Sequence, residues 1–230
     1  MVHPVTELIY FQLKSTVKPE DLANEEGQAL LDLFNNTKQQ SGYQSSAWGR
    51  TKEDENIVVW VIDWADAHDG IQQTLLTPYI EPSTQATIIF TTLTPPPPSS
   101  TTPKTHRLTT NPVTELCALA FPNTMAPEEH EALSSDLINF RRALTESLPE
   151  GSRPTAWAMG YVERPGTMAH EKSGDGQAFV HLLAVGWESK EKHMEIKGTE
   201  EFTGSIQPIR EKMLSPVPGL GMKHVSFVGV

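Results

Sequence analysis

The chain alternates between short apolar runs and longer stretches in which apolar residues recur every three or four positions. Residues 6–13 are apolar on both faces, which is typical of a strand that is covered on both sides. Residues 57–64 are rich in β-branched and aromatic side chains and predict another strong strand. Between them, a helical stripe follows Pro19, a residue that suits the first turn of a helix. The pattern predicts a strand, a helix and then further strands.

The same two periodicities extend along the rest of the chain. In the first half they predict a short strand at 47–51, a polar helix at 65–76 and a strand at 84–92. In the second half they predict strands at 113–121, 155–163, 177–187 and 223–230, and helices at 127–148, 190–197 and 200–214. The second half is longer, chiefly because of a loop at 164–176. Each half therefore has the element order β-α-β-β-α-β.

The pentapeptide Pro-Val-Thr-Glu-Leu occurs twice, at 4–8 and at 112–116. Each copy opens a strand and is followed by the same order of elements, which is the ferredoxin-like arrangement. We therefore predict two copies of one ferredoxin-like module in tandem, at 1–93 and 112–230. The fold class expected is α+β.

The segment 94–111 separates the two predicted modules. Its first ten residues contain five prolines and no apolar side chain of the aliphatic or aromatic type. Proline favours extended polyproline geometry, so we interpret the segment as a semi-rigid linker. A proline-rich ligand for a partner domain is the alternative interpretation.

Composition narrows the classes of function. Acidic residues outnumber basic ones, 29 to 18, and the 230-residue chain has a formal net charge of −11. A nucleic-acid-binding protein needs a basic face to displace counterions from phosphates, so we expect no nucleic-acid partner. The charge also disfavours anionic membranes, and no apolar stretch approaches the roughly 20 residues that cross a bilayer. We expect a cytoplasmic protein without a membrane partner.

Cysteine and histidine usage argues against a metal or redox centre. Cys117 is the single cysteine, which excludes an intramolecular disulfide and a cysteine-based metal cluster. His170 and His193 do not form a recognised metal-ligand spacing. Glycine-rich phosphate loops, nucleophile elbows and dinucleotide fingerprints are absent from the sequence. We therefore expect neither a metal nor a cofactor.

The segment at 185–193, Val-Gly-Trp-Glu-Ser-Lys-Glu-Lys-His, is followed by Thr-Glu-Glu-Phe at 199–202. Together these segments resemble the dimeric α+β barrel superfamily, in its antibiotic-biosynthesis-monooxygenase-like and stress-responsive branches. The resemblance implies two modules packed sheet to sheet, here as a single-chain pseudo-dimeric barrel, with ligand pockets between sheet and helices. A tandem copy would bury the sheet face that helices leave uncovered. Relatives include cofactor-free monooxygenases, polyketide cyclases, haem-degrading enzymes, isomerases and members without known catalysis.

Three residues are candidates for proton transfer. Cyclase-like relatives carry a histidine early in the first strand, whereas this chain has a glutamate there, Glu7 or Glu115. A buried carboxylate could act as a general base, and the alternative is a glutamate in water at a strand end. His181 shares a strand face with apolar residues and is either a proton shuttle or a core histidine. His193 matches the helix histidine of the superfamily, could also serve as a haem ligand, or is a surface residue.

Four aromatic residues are candidates for binding a flat ligand. They are Trp157, Tyr161, Phe179 and Trp187, and core packing is the alternative for most of them. The leading hypothesis is a cofactor-free monooxygenase, or a cyclase or isomerase, that acts on an aromatic or polyketide-like substrate. In this hypothesis His181 and Glu115 form the proton-transfer pair and His193 is a third participant. The alternative is a non-catalytic ligand-binding or stress-responsive barrel, and either protein could be a monomer or a homodimer.

Overall fold

A computed structural model describes residues 4–66, 69–94 and 108–230. Within these ranges, ten strands form one antiparallel sheet: β1 (Val5–Gln12), β2 (Tyr43–Arg50), β3 (Ile57–Trp64), β4 (Thr87–Thr91), β5 (Val113–Pro122), β6 (Ala156–Arg164), β7 (Met168–Ala169), β8 (Gln177–Trp187), β9 (Lys223–Val225) and β10 (Val228–Gly229). The α-helices described there are α1 (Glu25–Thr37), α2 (Pro127–Arg142), α3 (Lys190–Ile196) and α4 (Glu200–Arg210). The fold is α+β, as the sequence predicts.

The strand order brings the two halves of the chain together at two seams. The first half is ordered β2-β3-β1-β4 and the second half β6-β8-β5-β9. Strand β4 pairs with β6, which joins the halves at one seam. At the other seam β10 pairs with β2, and Thr51 forms a bridge with Val225 of β9. The curled sheet is consistent with the expected α+β barrel.

The buried residues form three apolar clusters, and strand alternation explains why. In β8, Val180 and Leu182 point into a central cluster that contains residues from both halves. Their neighbours Leu183 and Val185 point outwards, into a cluster covered by α2 and α4. A third cluster, which includes Leu30 and Phe34 of α1, covers the outer face of the first-half strands. Because successive side chains of a strand point to opposite faces, each central strand contributes to two cores.

The first helix begins later than the sequence pattern predicts. We expected it to start at Pro19, but α1 starts at Glu25. Asn24 is its N-cap, and the Asn24 side chain accepts hydrogen bonds from the amides of Gly27 and Lys18. An asparagine cap satisfies a free amide of the first turn, so the helix starts there and not at the proline.

The helix predicted at 65–76 is wrong for the part of it that the structure describes. Residues 67–68 lie outside the described ranges, and the segment ends in a single 3₁₀ turn, Gln73–Leu75. The amide of Ile71 donates a hydrogen bond to the Glu7 side chain, at 2.8 Å, instead of to a helical carbonyl. A buried carboxylate thus competes successfully with the helix for this backbone group.

The second half follows the prediction more closely. Helices α2, α3 and α4 begin at Pro127, Lys190 and Glu200, as expected, and α2 continues into a single π-type turn, Ala143–Ser147. The predicted loop at 164–176 contains the short strand β7, and the last strand is divided into β9 and β10.

Both ends of the predicted linker are in contact with the rest of the structure. Thr94 forms a bridge with Met159, and Leu108 is buried in the central cluster. Residues 95–107, the proline-rich part of the linker, lie outside the described residues. Among the residues that are described, no helix has the length and apolar character needed to cross a membrane.

A glycine marks each seam between the halves, and replacing it tests the fold. A Cβ atom at Gly160 would overlap the carbonyl oxygen of Thr92, and one at Gly49 would lie 2.5 Å from that of Ser226. We expect Gly160→Ala to lower the free energy of unfolding by about 1–3 kcal/mol, because the seam strands must move apart. Urea unfolding measures this change. Gly151→Ala is the control, since nothing lies within 4 Å of its Cβ position; equal stability of the two variants would contradict the seam.

Candidate functional site

Glu115 is a buried carboxylate on the helix-facing side of β5. It lies opposite Val185 of β8, and alternation points its side chain outwards, towards the cluster under α2 and α4. The residue is 7% exposed. The indole Nε1 of Trp187 donates a hydrogen bond to its Oε2 atom at 3.0 Å. The alternative of a solvated glutamate at a strand end is therefore wrong.

The surroundings of Glu115 shift its protonation into the neutral pH range. Burial raises the pKa of the carboxyl to about 7, against the opposing effects of the Trp187 hydrogen bond and of the nearby Lys197 ammonium. A carboxyl with a pKa near 7 can accept and release a proton at the same pH. Glu115 is thus chemically suited to act as a general acid or a general base.

His193 lies next to Glu115 and is fully buried. Helix α3 follows β8 directly, and the Ser189 side chain caps it by accepting from the Lys192 amide. The His193 ring stacks on Trp187, with centroids 4.7 Å apart and planes 10° from parallel. Its Nε2 atom is 3.3 Å from Oε2 of Glu115, although the two atoms are not aligned as a hydrogen bond. The alternative of a surface histidine is wrong.

His193 is the neutral member of this pair. Burial is the main cause that lowers the pKa of His193 to about 3; a proton on His224 and the positive charge of Lys197 act in the same direction. A neutral imidazole offers one donor and one acceptor nitrogen. Glu115 and His193 therefore form a contact through which a proton can pass, and not a permanent ion pair.

A cavity of about 120 Å³ lies beside Glu115, between the sheet and helices α2 and α4. Its apolar walls include Cys117, Leu119, Leu183, Phe140, Phe202 and Ile206. Lys197 and Arg210 also line it and are its cationic groups. Burial and the Glu115 carboxylate raise the pKa of the Cys117 thiol, so this cysteine remains a neutral, apolar wall.

Larger clefts exist at the surface, but those described below do not combine a buried carboxyl with apolar walls. The widest, of about 610 Å³, is lined mainly by polar and glycine residues such as Gln40, Asp66 and Gly70. A cleft of about 400 Å³ runs along residues 73–85. Open polar grooves exclude water poorly, whereas small-molecule sites are mostly apolar and enclosed. The cavity beside Glu115 is therefore the candidate site.

The first half contains a comparable carboxylate with different partners. Glu7 is fully buried, and Trp64 Nε1 donates a hydrogen bond to its Oε2 atom at 2.9 Å. Its other oxygen accepts from the Ile71 amide. Burial is the main cause that raises the pKa of Glu7, against both hydrogen bonds and the Arg164 charge. A backbone amide thus contacts this carboxylate, where an imidazole contacts Glu115.

The structure does not bring His181 and Glu115 together, which corrects the proposed pair. Both side chains lie on the same face of the sheet, as alternation predicts. However, His181 is opposite Leu119, four residues along the ladder from the Glu115–Val185 pair, or roughly 13 Å. His181 is 3% exposed and packs edge-on against Tyr161. Burial lowers its pKa to about 4, so it is a neutral core histidine.

The predicted aromatic ligand residues pack elsewhere than the cavity wall. Trp157 packs edge-on against Phe140, and Phe179 stacks between Phe121 and His130. Tyr161 is 41% exposed. Trp187 lies beside the site, where its indole donates to Glu115 and its ring stacks on His193. The aromatic walls of the cavity are Phe140 and Phe202, which appeared in the sequence only as a helix-stripe residue and as part of the superfamily motif.

Two further polar residues belong to the site, and the sequence did not indicate them. His224 of β9 is fully buried, and its Nε2 atom is 2.8 Å from Nδ1 of His193. Glu53 contacts the other side of His224, with Oε1 2.7 Å from Nδ1 and Oε2 accepting from the backbone amide. Lys190 Nζ lies 2.8 Å from Oε1 of Glu53. Glu53 follows β2 in the first half, so no local pattern could connect it with His193.

Glu53 is the ionised end of this series of contacts. Burial alone would raise its pKa, but hydrogen bonds from Lys190 and from the backbone and side chain of His224 lower it to about 2. The carboxylate can only accept, so His224 Nδ1 must carry the hydrogen in this contact.

His193 does not fit the role of a haem ligand. An axial histidine needs one ring nitrogen free to face the iron. Here Nδ1 bonds to His224, Nε2 faces Glu115, and Trp187 covers the ring plane. Across residues 4–66, 69–94 and 108–230, no cluster of three or more histidine, cysteine or acidic side chains has the geometry of a metal site.

Solved structures share this fold at low sequence identity. An anthrone oxidase-like protein is 12% identical with a TM-score of 0.60, over 98% of this chain and 91% of that chain. A candidate monooxygenase from Fusobacterium nucleatum is 11% identical with a TM-score of 0.54, over 99% and 93% of the two chains. A candidate chlorite dismutase is 9% identical with a TM-score of 0.56, over 98% and 94%. The likeness supports the α+β barrel expected from the sequence. The sequence matches no protein-family model and no curated protein.

The raised pKa of Glu115 predicts a pH-dependent stability difference. The folded protein holds this proton more tightly than the unfolded chain, whose glutamate has a pKa near 4.5. The stability that Glu115 contributes is therefore present below pH 4.5 and lost as the pH rises through about 7. We expect wild type to lose on the order of 3 kcal/mol relative to Glu115→Gln between pH 4.5 and pH 8.

Urea unfolding at a series of pH values measures this difference. Other titrating groups are common to both proteins and cancel in the subtraction. Glu128→Gln, at the exposed start of α2, is the control, and its difference in stability from wild type should not change with pH. A wild-type minus Glu115→Gln difference that does not change with pH would contradict the buried carboxyl.

Proposed function

We propose that this chain is a small-molecule enzyme of the monooxygenase type, and that its site is the cavity beside Glu115. The observation that carries the proposal is a buried carboxyl, with a pKa raised to about 7, that lines an apolar cavity between sheet and helices. Groups with perturbed pKa values that border a cavity are typical of functional sites. The names of two structural neighbours, monooxygenase and anthrone oxidase-like, support the same class.

Glu115 would act as the general base. It would take a proton from an acidic C–H group of an aromatic substrate and leave a carbanion, which dioxygen oxidises. For a methylene carbon, dioxygen adds to give a hydroperoxide after the proton is returned, and loss of water then leaves a carbonyl. The overall change, CH₂ + O₂ → C=O + H₂O, needs no electron donor beyond the substrate. Apolar walls would favour this chemistry, because they destabilise the ionised base before it takes the proton.

The cavity limits the size of the substrate. A cavity of about 150 Å³ in another protein holds one benzene molecule. At about 120 Å³ this cavity is smaller, so a single ring would enter with a small movement of its walls. Met213 and Met222 form part of its wall, and flexible thioether side chains could move aside for a second ring. We propose a phenolic or polyketide-like substrate, with the reacting ring beside Glu115.

We also propose that the chain arose from two copies of a ferredoxin-like module, which pair as an intramolecular pseudo-dimer. Each half has the same relative strand order. The buried pairs Glu7–Trp64 and Glu115–Trp187 occupy corresponding strands. The contact between Phe34 and Trp48 likewise corresponds to that between Phe140 and Trp157.

Cyclase or isomerase chemistry is the alternative reaction at this site, and it would use Glu115 as the base without dioxygen.

Substitution of Glu115 tests the catalytic role. Glu115→Gln keeps the shape and the acceptor for Trp187 but cannot take a proton. We expect it to lower kcat by about 10²-fold or more, since general bases contribute this much. Dioxygen uptake with a panel of phenols, naphthols and anthrones measures the rate. In wild type, kcat/KM should rise with pH through about 7, because the base must be ionised.

Glu7→Gln is the matched control, because Glu7 is a buried, tryptophan-bonded glutamate without the cavity contacts. It should keep wild-type turnover. If wild type binds these compounds by tryptophan fluorescence but never turns them over, the protein is the non-catalytic ligand-binding barrel. If Glu115→Gln turns them over as fast as wild type, Glu115 is not the base.

The cavity wall gives an independent test of where the substrate binds. Ile206→Ala on α4 should enlarge the cavity and improve turnover of two-ring substrates relative to one-ring substrates. Ile209→Ala removes the same atoms from the same helix, at a buried residue that is not part of the described wall. Both variants should lose about 2–5 kcal/mol of stability. The same change of preference in both would place the substrate elsewhere.

A further inference from the structure

We propose that His193, His224 and Glu53 form a proton relay that connects Glu115 with the surface of the opposite half of the chain. This inference rests on the proposed function, because it gives the proton of Glu115 an exit. It is carried by four polar contacts in series, of 3.3, 2.8, 2.7 and 2.8 Å, from Glu115 through His193, His224 and Glu53 to Lys190.

The ionised end of the series fixes the hydrogen positions. Glu53 accepts, so His224 carries a hydrogen on Nδ1 and, when neutral, leaves Nε2 as an acceptor. His193 must then donate from Nδ1, which leaves its own Nε2 as an acceptor facing Glu115. A small rotation of the protonated Glu115 carboxyl, 3.3 Å away, would align it to donate to that nitrogen. Every hydrogen thus points in one direction, from the cavity towards Glu53.

One proton can pass along this arrangement, and the negative charge that it leaves on Glu115 stays beside the Trp187 indole hydrogen and the Lys197 ammonium. The Glu115 proton moves to Nε2 of His193 as the Nδ1 hydrogen of His193 moves to Nε2 of His224. His224 then carries both hydrogens and is an imidazolium ion directly paired with the Glu53 carboxylate. Release of its Nδ1 hydrogen to Glu53, and then to water, completes the transfer. His193 never needs to hold a charge, which agrees with its strongly lowered pKa.

Burial explains why a relay is needed at this site. His193 and His224 are both fully buried, whereas the side chain of Glu53 is 26% exposed and that of Lys190 is 33% exposed. The direct route from Glu115 to water runs through the cavity, past Lys197 and Arg210. A bound substrate would fill that route. With that route filled, the proton that Glu115 holds at neutral pH would have to leave through the opposite side, where His193 lies, before the carboxyl can act as a base.

The geometry around His224 is held by backbone contacts as well as by side chains. The Lys52 amide donates to the His224 carbonyl at 2.8 Å, and the His224 amide donates to Glu53 Oε2. The bridge between Thr51 and Val225 fixes the same loop against β9. These backbone contacts hold Glu53 next to His224. The relay therefore lies in the seam between the halves.

The experiment follows protonation of Glu115 directly. Infrared difference spectroscopy after a rapid pH jump reports the carbonyl band of a protonated carboxyl, and Glu115→Gln identifies which band belongs to Glu115. We expect Glu53→Gln and His224→Gln to slow the change of this band about tenfold or more in the presence of a non-reactive phenol that fills the cavity. Glu55→Gln, on the same loop and without a side-chain contact to the relay, is the control and should behave as wild type.

Turnover provides the second measurement. Both relay variants should lower kcat in dioxygen uptake about tenfold or more with an unchanged KM, because substrate binding does not involve them. Thermal unfolding identifies a variant that fails to fold, and Glu53→Gln, on a partly exposed loop, remains informative if His224→Gln does not fold.

The outcomes separate the relay from the proposed function. If the Glu115 band changes at the wild-type rate in both variants, the relay is wrong, and the base role stands as long as Glu115→Gln is inactive. If Glu115→Gln is active but the band still slows in the variants, the relay conducts protons and the proposed function is wrong. Slow protonation together with reduced kcat would support both.

Discussion

The whole structure depends on the fact that its strands are apolar on both faces. A sheet of such strands has to be covered on both sides, and one layer of helices covers only one of them. The second face of each half is buried against that of the other half, in a single central cluster. The helices are then left to cover the outer faces. The candidate site lies in one of these outer layers, between the sheet and helices α2 and α4.

The two outer layers share one arrangement and differ, among the described residues, in what contacts the carboxylate. Each has a buried glutamate held by a tryptophan indole. In the first half the next segment passes close by and satisfies the carboxylate with the Ile71 amide. In the second half a regular helix places His193 there, and a cavity remains open under α4. Among the described residues, the two layers thus differ in the path of the chain beside the buried glutamate; residues 67–68 lie outside them.

Periodicity predicted most of the fold, because strand alternation and helical stripes are local properties. It failed at 65–76, where Glu7 takes up a backbone amide from a distant part of the chain, and at Pro19, where the Asn24 cap decides the start of the helix. Alternation also gave the strand face of His181, and the structure shows that Glu115 shares this face. Alternation could not give the ladder register, which separates them by four residues. Glu53 and His224 are 171 residues apart in the sequence, and only closure of the sheet brings them together.

The position of Glu53 has a consequence for the independence of the two halves. The second half supplies the cavity, the carboxyl and both imidazoles, yet the acceptor that orients those imidazoles comes from the first. The series of contacts from Glu115 to Glu53 therefore draws on both halves of the chain. A substitution in the β2–β3 turn that moved Glu53 would change the contacts of His224 and, through it, of His193. The first half thus supplies Glu53 as the acceptor for His224, and its loss would remove this acceptor while leaving every described wall residue of the cavity in the chain.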